Sequence, residues 1–150
     1  MANEFMFPIK ETPSFEELLD IIVDGFKVYS LPIRQLSVGL SASKGIDLSD
    51  KFVNIQDHQY GYFCWITFHY FQPEFRDEAE IDLPIMVGIK TRGENELKFS
   101  VVIGYILAKA LEARVIYDDA YLVQRKEVYP VDELKPFVEQ YIKELYPVDE

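Results

Sequence analysis

Tyr62-Phe-Cys-Trp-Ile-Thr-Phe-His-Tyr-Phe71 is the stretch from which the rest of the chain is read. Side chains of a strand alternate between two faces. Tyr62, Cys64, Ile66, Phe68 and Tyr70 therefore share one face, and Phe63, Trp65, Thr67, His69 and Phe71 the other. Both faces are apolar or aromatic. The reading predicts a strand inside a sheet, covered on both sides.

Downstream, Gln72 to Asp82 reads as an acidic loop: Glu74, Asp77, Glu78, Glu80 and Asp82 against Arg76 alone. Leu83 to Ile89 is a further strand, and Thr91-Arg92-Gly93 a break. A helix is expected from about Glu94 to Ala113. Its middle, Phe99 through Leu107, is apolar nearly all round and so should be well buried. Arg114 to Tyr117 reads as a strand ending in Asp118-Asp119, which Ala120 to Val123 continues after a bend. The last helix is expected from about Asp132 to Leu145, burying Leu134, Phe137, Val138, Tyr141, Ile142 and Leu145.

Upstream, Asp57 to Gly61 is a turn, Phe52 to Ile55 a short strand and Ser41 to Lys51 a polar loop. In Leu31 to Leu40, the residues Leu36, Val38 and Leu40 alternate with Gln35, Ser37 and Gly39, the pattern of a half-buried strand. Thr12-Pro13-Ser14 opens a helix, through either Thr12 followed by Pro13 or a capping box of Ser14 and Glu17. Phe15, Leu18, Leu19, Ile22 and Phe26 line one face of it. Glu4 to Lys10 is the first strand.

The segments near 4, 15, 31, 62, 95 and 114 spell β-α-β-β-α-β, a split βαβ skeleton. The expected class is α+β: a mixed, mostly antiparallel sheet with helices packed on one face, an elaborated ferredoxin-like (βαββαβ) core plus a C-terminal helix. Residues 1–150 read as a single domain, without linker or repeat array. Tyr-Pro-Val-Asp-Glu occurs twice, at Tyr129 to Glu133 and Tyr146 to Glu150. Two short copies are too few for a solenoid; helix-edge turns of similar chemistry, or chance, account for them.

The chain has 150 residues, 49% of them hydrophobic, and 26 acids against 15 basic residues, for a net charge of −11. That content of core-forming side chains excludes disorder. The negative field repels phosphate backbones and anionic lipid surfaces, so neither nucleic acid nor membrane is expected as a partner. A single cysteine, Cys64, points to no oxidising compartment. The N-terminal residues lack the basic start of a signal peptide, and Val101 to Ala108 is too short to span a bilayer. The expected location is the cytoplasm.

Catalytic patterns are scarce. Ser41-Ala42-Ser43-Lys44 matches Ser-x-x-Lys, but the companion motifs of serine β-lactamases are missing, so it reads as a polar loop. No glycine-rich phosphate loop is present, and no cofactor is expected. Cys64, flanked by Phe63 and Trp65, reads as a small core residue, because burial opposes the thiolate. His58 reads as a solvated turn residue. His58 and His69 lack metal-ligand spacing. His69 shares a face with Trp65, Thr67 and Phe71, and could line a pocket. Asp118-Asp119 is the best carboxylate pair, yet neighbours in a strand point to opposite faces, which favours a turn-capping role. The chain is expected not to be an enzyme.

Three functions compete. The first is an acidic protein-binding module that neutralises a basic partner, with Glu74, Asp77, Glu78, Glu80, Asp82, Trp65, His69, Phe71, Asp118 and Asp119 as its contact residues. The second is a small-molecule binder or unrecognised enzyme with a pocket near His69, where Arg34 and Arg114 could orient an anionic ligand, although no spacing supports that. The third is a homodimeric structural subunit that buries the second face of Tyr62 to Phe71. Residues 101–119, an apolar helix leading into a strand that ends in acids, resemble the small acidic α+β immunity proteins of bacterial toxin systems, without a diagnostic motif. The resemblance implies a toxin-neutralising role. A phage-encoded antagonist of host defence would bear the same features.

Overall fold

A computed structural model describes residues 3–40, 52–91, 94–118, 123 and 127–147. The strands are β1 (Asn3–Ile9), β2 (Leu36–Leu40), β3 (Phe52–Asp57), β4 (Tyr62–Tyr70), β5 (Ile85–Thr91), β6 (Val115–Asp118) and β7 (Val128–Pro130). The helices are α1 (Phe15–Val28), α2 (Glu94–Ala110) and α3 (Lys135–Leu145). The strands form one open sheet in the order β2-β3-β4-β5-β1-β6-β7. Each pairing is antiparallel, so the expected mixture of directions is absent among the described residues. The class is α+β.

The middle of this sheet, β4-β5-β1-β6, has the neighbour order of the split βαβ arrangement, with α1 after β1 and α2 after β5. The second and third strands of that core are β4 and β5. The segment near residue 31, expected to be the second, instead supplies β2, which joins β3 in extending one edge. The strand there is also shorter than the alternation implied, because residues 31–35 turn: the Leu36 amide donates to Ile33. The other edge gains β7, which the sequence reading missed because its three residues are too short to show a period.

Registers show which face each residue takes. Phe5, Ile89, Ile66 and Val53 lie side by side across β1, β5, β4 and β3, as do Phe7, Val87 and Phe68. All of these are fully buried, under α2 and its neighbours α1 and α3. Leu18, Ile22 and Phe26 of α1, and Val138 and Leu145 of α3, complete the same core. Helix α1 starts as a capping box predicts on the Ser14 side, with the Glu17 amide donating to Ser14 Oγ at 3.1 Å. Both α1 and α2 end in a left-handed residue, Ser30 (φ 56°) and Glu112 (φ 57°). The amides of Leu31 and Ala113 then reach back to Phe26 and Ala108, which closes each helix by a Schellman-type pairing. Helix α3 is preceded by a 3-10 turn over Val131–Leu134.

Mid-helix, Gly104 lets α2 approach the sheet closely. A Cβ there would stand 2.6 Å from Phe5 Cδ1 and 2.8 Å from Phe5 Cε1. That closeness is why an apolar helix carries a glycine at its centre, despite the helix propensity it forgoes.

Where β3 turns into β4, the buried Asp57 accepts from the amides of Gln59 (3.0 Å) and Tyr60 (3.2 Å) and from the Tyr146 hydroxyl (2.7 Å). Tyr62 donates to the Leu145 carbonyl at 2.6 Å. The rings of Tyr60, Tyr62 and Tyr146 stack or meet edge-on at centroid distances of 5.0 to 5.8 Å. This network ties the end of α3 to the β3–β4 turn. Both repeated Tyr-Pro pairs flank α3, one before it and one after, and Tyr129 and Tyr146 are both buried. The last three residues of the second copy lie outside the described residues.

Candidate partner-binding surface

The opposite face of the sheet corrects the reading of Tyr62 to Phe71. It carries Phe63, Trp65, Thr67 and His69, with no helix over it among the described residues. Trp65 and Phe63 are half-buried, with ring centroids 5.7 Å apart, and His69 is exposed. The strand is central in the sheet but helix-covered on one side only. Its aromatic second face reports packing along the sheet, not a second helical layer. Cys64 is fully buried on the helix side.

Part of this open face is covered by the connection from β4 to β5. Residues 71–84 leave at Phe71, whose amide donates to Pro84 at 2.7 Å and closes the loop base. Pro73 opens a 3-10 turn over Pro73–Phe75, where a missing amide costs nothing. A second 3-10 turn spans Glu78–Glu80. The loop reaches Arg114 and Tyr117 on the β6 side of the sheet; Pro8 and Met86, which face away from the helices, are buried nearby along β1 and β5.

Two arginines hold it there. Arg76 Nε donates to the Phe71 carbonyl (2.8 Å) and Nη1 to that of Ile81 (2.7 Å), bracing the loop from inside. Its guanidinium carbon also sits 5.5 Å from the Tyr70 ring centre. Arg114, just before β6, grips Asp82 with both terminal nitrogens (3.0 and 2.9 Å) and donates to the Ala79 carbonyl at 2.7 Å. Such a forked pair fixes orientation as well as charge. The Tyr117 hydroxyl, kept protonated by burial and by Glu80 and Asp77, donates to Asp77 Oδ2 at 3.2 Å. The acidic loop expected over Gln72 to Asp82 thus makes side-chain contacts at both of its ends.

The five acids divide by position. Glu74, Asp77, Glu78 and Asp82 are exposed, while Glu80 is 4% exposed and points inward. Burial raises the Glu80 carboxyl above its usual range, with Asp77 adding to the rise and Arg114 opposing it. Arg114 holds Asp82 below its usual range. Between the exposed acids stand two apolar side chains turned outward, Phe75 at 70% exposure and Ile81 at 52%, while Tyr70, also exposed, ends β4 just before the loop.

A raised carboxyl pKa in the folded state means that ionised Glu80 opposes folding. Its contribution is most favourable below the ordinary glutamate range and is lost as pH rises through the raised value. Glu80→Gln is thus expected to be more stable than the parent at pH 7, and the difference should vanish on acidification to about pH 3, where both side chains are neutral. Urea titrations at both pH values check this; a Gln variant less stable at pH 7 would contradict it.

The remaining expected contact residues scatter. Phe71 is half-buried, with its carbonyl and amide both used in the loop base. Asp118 pairs with Phe5 in register, on the helix side, and is fully buried. Its Oδ2 accepts from the Val123 amide at 3.0 Å, a turn-capping role, so it cannot meet a partner on the loop side. Asp119, the Ser41-Ala42-Ser43-Lys44 loop and residues 120–122 of the expected strand continuation lie outside the described residues. His58 is exposed, with Nε2 2.8 Å from Ser37 Oγ. The sequence reading missed Arg114 and Tyr117 as clamps, because their partners lie 32 and 40 residues away. It also missed Phe75 and Ile81, whose isolation in a non-periodic acidic segment was the only signal.

Elsewhere, a cleft of about 760 Å³ opens between the β1–α1 connection and the end of α2. Another, of about 550 Å³, runs between α1 and α2 beside Tyr29, Tyr105, Lys109 and Lys135. Burial and the neighbouring Tyr105 push the Tyr29 hydroxyl up to about 12. No group of three or more His, Cys, Asp or Glu side chains that could hold a metal ion occurs among the described residues. None of their helices is long and apolar enough to cross a membrane. Comparison with protein-family models, curated proteins and solved structures finds no match to this chain.

Proposed function

We propose that this chain is a non-enzymatic, cytoplasmic protein-binding module that neutralises a basic protein partner, in the manner of an immunity protein or an antagonist. The carrying observation is the arginine-braced loop 71–84, which offers Phe75 and Ile81 among the exposed Glu74, Asp77, Glu78 and Asp82. Aromatic anchors within a charged rim are the usual composition of a binding patch. A braced loop also loses little conformational freedom when it docks. The net charge of −11 adds long-range attraction to a basic surface. A lone buried thiol fits a reducing compartment. His69, on which the small-molecule reading centres, is exposed.

The test is retention from the source organism's lysate on the immobilised chain, washed at about 0.1 M and then about 0.5 M salt. A basic protein should be released by the higher salt. Glu74→Lys/Glu78→Lys changes two exposed acids that the loop's braces do not use, and should slow association with that protein by roughly 10-fold or more. An identical association rate for the variant would refute the loop as the binding site.

A further inference from the structure

The two edges of the sheet are built differently. The β7 edge is three residues long, ends in Pro130 and is preceded by Glu127. Proline and charge are the devices that keep a sheet edge from pairing with another chain. The β2 edge has neither. Leu36-Ser-Val-Gly-Leu40 carries no charge and no proline, and no strand lies beyond it among the described residues. From Ile33 to Leu40 the only charged residue is Arg34, in a chain whose net charge is −11. This edge is where two copies would repel each other least.

The hydrogen-bond phase of β2 can be deduced. The His58 amide donates to the Gln35 carbonyl at 3.0 Å, and the register pairs Leu36 with Asp57. Gln35 and His58 are therefore a hydrogen-bonded pair, and so by alternation are Ser37 with Gln56 and Gly39 with Asn54. Leu36, Val38 and Leu40 fall between them, with their backbone groups directed outward. Of these, the Leu36 amide is already used by Ile33. The Val38 amide and carbonyl, the Leu40 amide and the Leu36 carbonyl face the edge. The side chains of Leu36, Val38 and Leu40 are half-buried on the helix side.

We infer that the β2 edge pairs with the β2 edge of a second copy, antiparallel, about a two-fold axis through Val38. In that register Val38 meets Val38 of the second copy, and Leu36 meets its Leu40. Each outward amide then finds an outward carbonyl: Val38 to Val38 twice, and Leu40 to Leu36 twice. The alternating apolar residues stay on the helix side in both copies, so the core layer runs through the junction. A leucine-valine-leucine pattern is its own complement about its centre, which is the condition for an isologous interface. The other face brings Ser37 opposite Gly39 of the second copy.

That last pairing supplies the test. Ser37 and Gly39 are exposed, and a Cβ at Gly39 would meet nothing within 4 Å, so both positions accept side chains. Ser37→Lys/Gly39→Lys places lysines opposite one another at the junction, whereas Ser37→Lys/Gly39→Glu places a lysine opposite a glutamate. Sedimentation equilibrium over about 1 to 300 µM reads the mass by mass action, with circular dichroism confirming that each variant is folded. The parent is expected to rise from 17.5 kDa toward twice that mass. The lysine pair should remain monomeric across the range, and the lysine–glutamate variant should associate at least as well as the parent. A parent that stays monomeric throughout overturns the inference, whatever the variants do. So does a dimer that the lysine pair leaves untouched, which would put the interface elsewhere.

Discussion

Asp57→Ala is expected to cost about 3 to 4 kcal/mol of folding stability, enough to lower the melting temperature by roughly 10 °C. Asp57 is 1% exposed and receives three donors: the Gln59 and Tyr60 amides and the Tyr146 hydroxyl. Removing the carboxylate leaves those groups without their acceptor. The Tyr146 hydroxyl is the costliest of them, because it is buried and its proton is held there by burial and by Asp57 itself. The Tyr60, Tyr62 and Tyr146 rings pack against this point, so the end of α3 should loosen with it. Tyr146→Phe should cost less, since the ring stays and Asp57 keeps its two amides. In a double-mutant cycle the pair should show a coupling of about 1 to 2 kcal/mol. Additive urea-denaturation energies would mean that the 2.7 Å bond between the two side chains contributes nothing.

The second large effect concerns Gly104. Gly104→Val should destabilise by about 3 kcal/mol, although valine is a better helix former than glycine. The added Cβ alone would stand 2.6 Å from the Phe5 ring, with Ile89 Cγ1 at 3.5 Å. Phe5 cannot retreat easily: it is fully buried in a central strand, with Ile89 and Asp118 in register on its two sides. Phe5→Leu removes the ring edge that the new side chain strikes. Gly104→Val should therefore cost clearly less in the Phe5→Leu background than in the parent. An equal cost in both backgrounds would place the strain against some other neighbour.

Most elements could be read from the sequence, because their periods are strong. Phe15, Leu18, Ile22 and Phe26 recur at helical spacing, and they are the residues α1 turns to the core. Ser14 and Glu17 announce its start, and the apolar run from Phe99 to Leu107 announces a buried α2. The α+β class with helices on one face follows from those patterns. Strand β7 was not legible, since three residues set no period. Nor was the identity of the second and third core strands: local patterning cannot say which strands become neighbours, and only the closing of the sheet does.

The candidate surface was legible in composition and not in geometry. Sequence alone determined that residues 72–82 are acidic and non-periodic, and that the chain as a whole carries a net charge of −11. It could not assign the open face of β4, because Trp65 and His69 look as apolar-compatible as Cys64 and Phe68 until a helix layer takes one side. It also could not distinguish Glu80, turned inward, from Glu78, turned outward, two residues apart. Only the tertiary structure brought Arg114 and Tyr117 to the loop, made it a braced platform, and put Asp118 on the far side of the sheet. The physical reason is the same in each case. Periodicity is a property of neighbouring residues along the chain, whereas the Arg114 and Tyr117 braces join side chains that folding brings together from 32 and 40 residues apart.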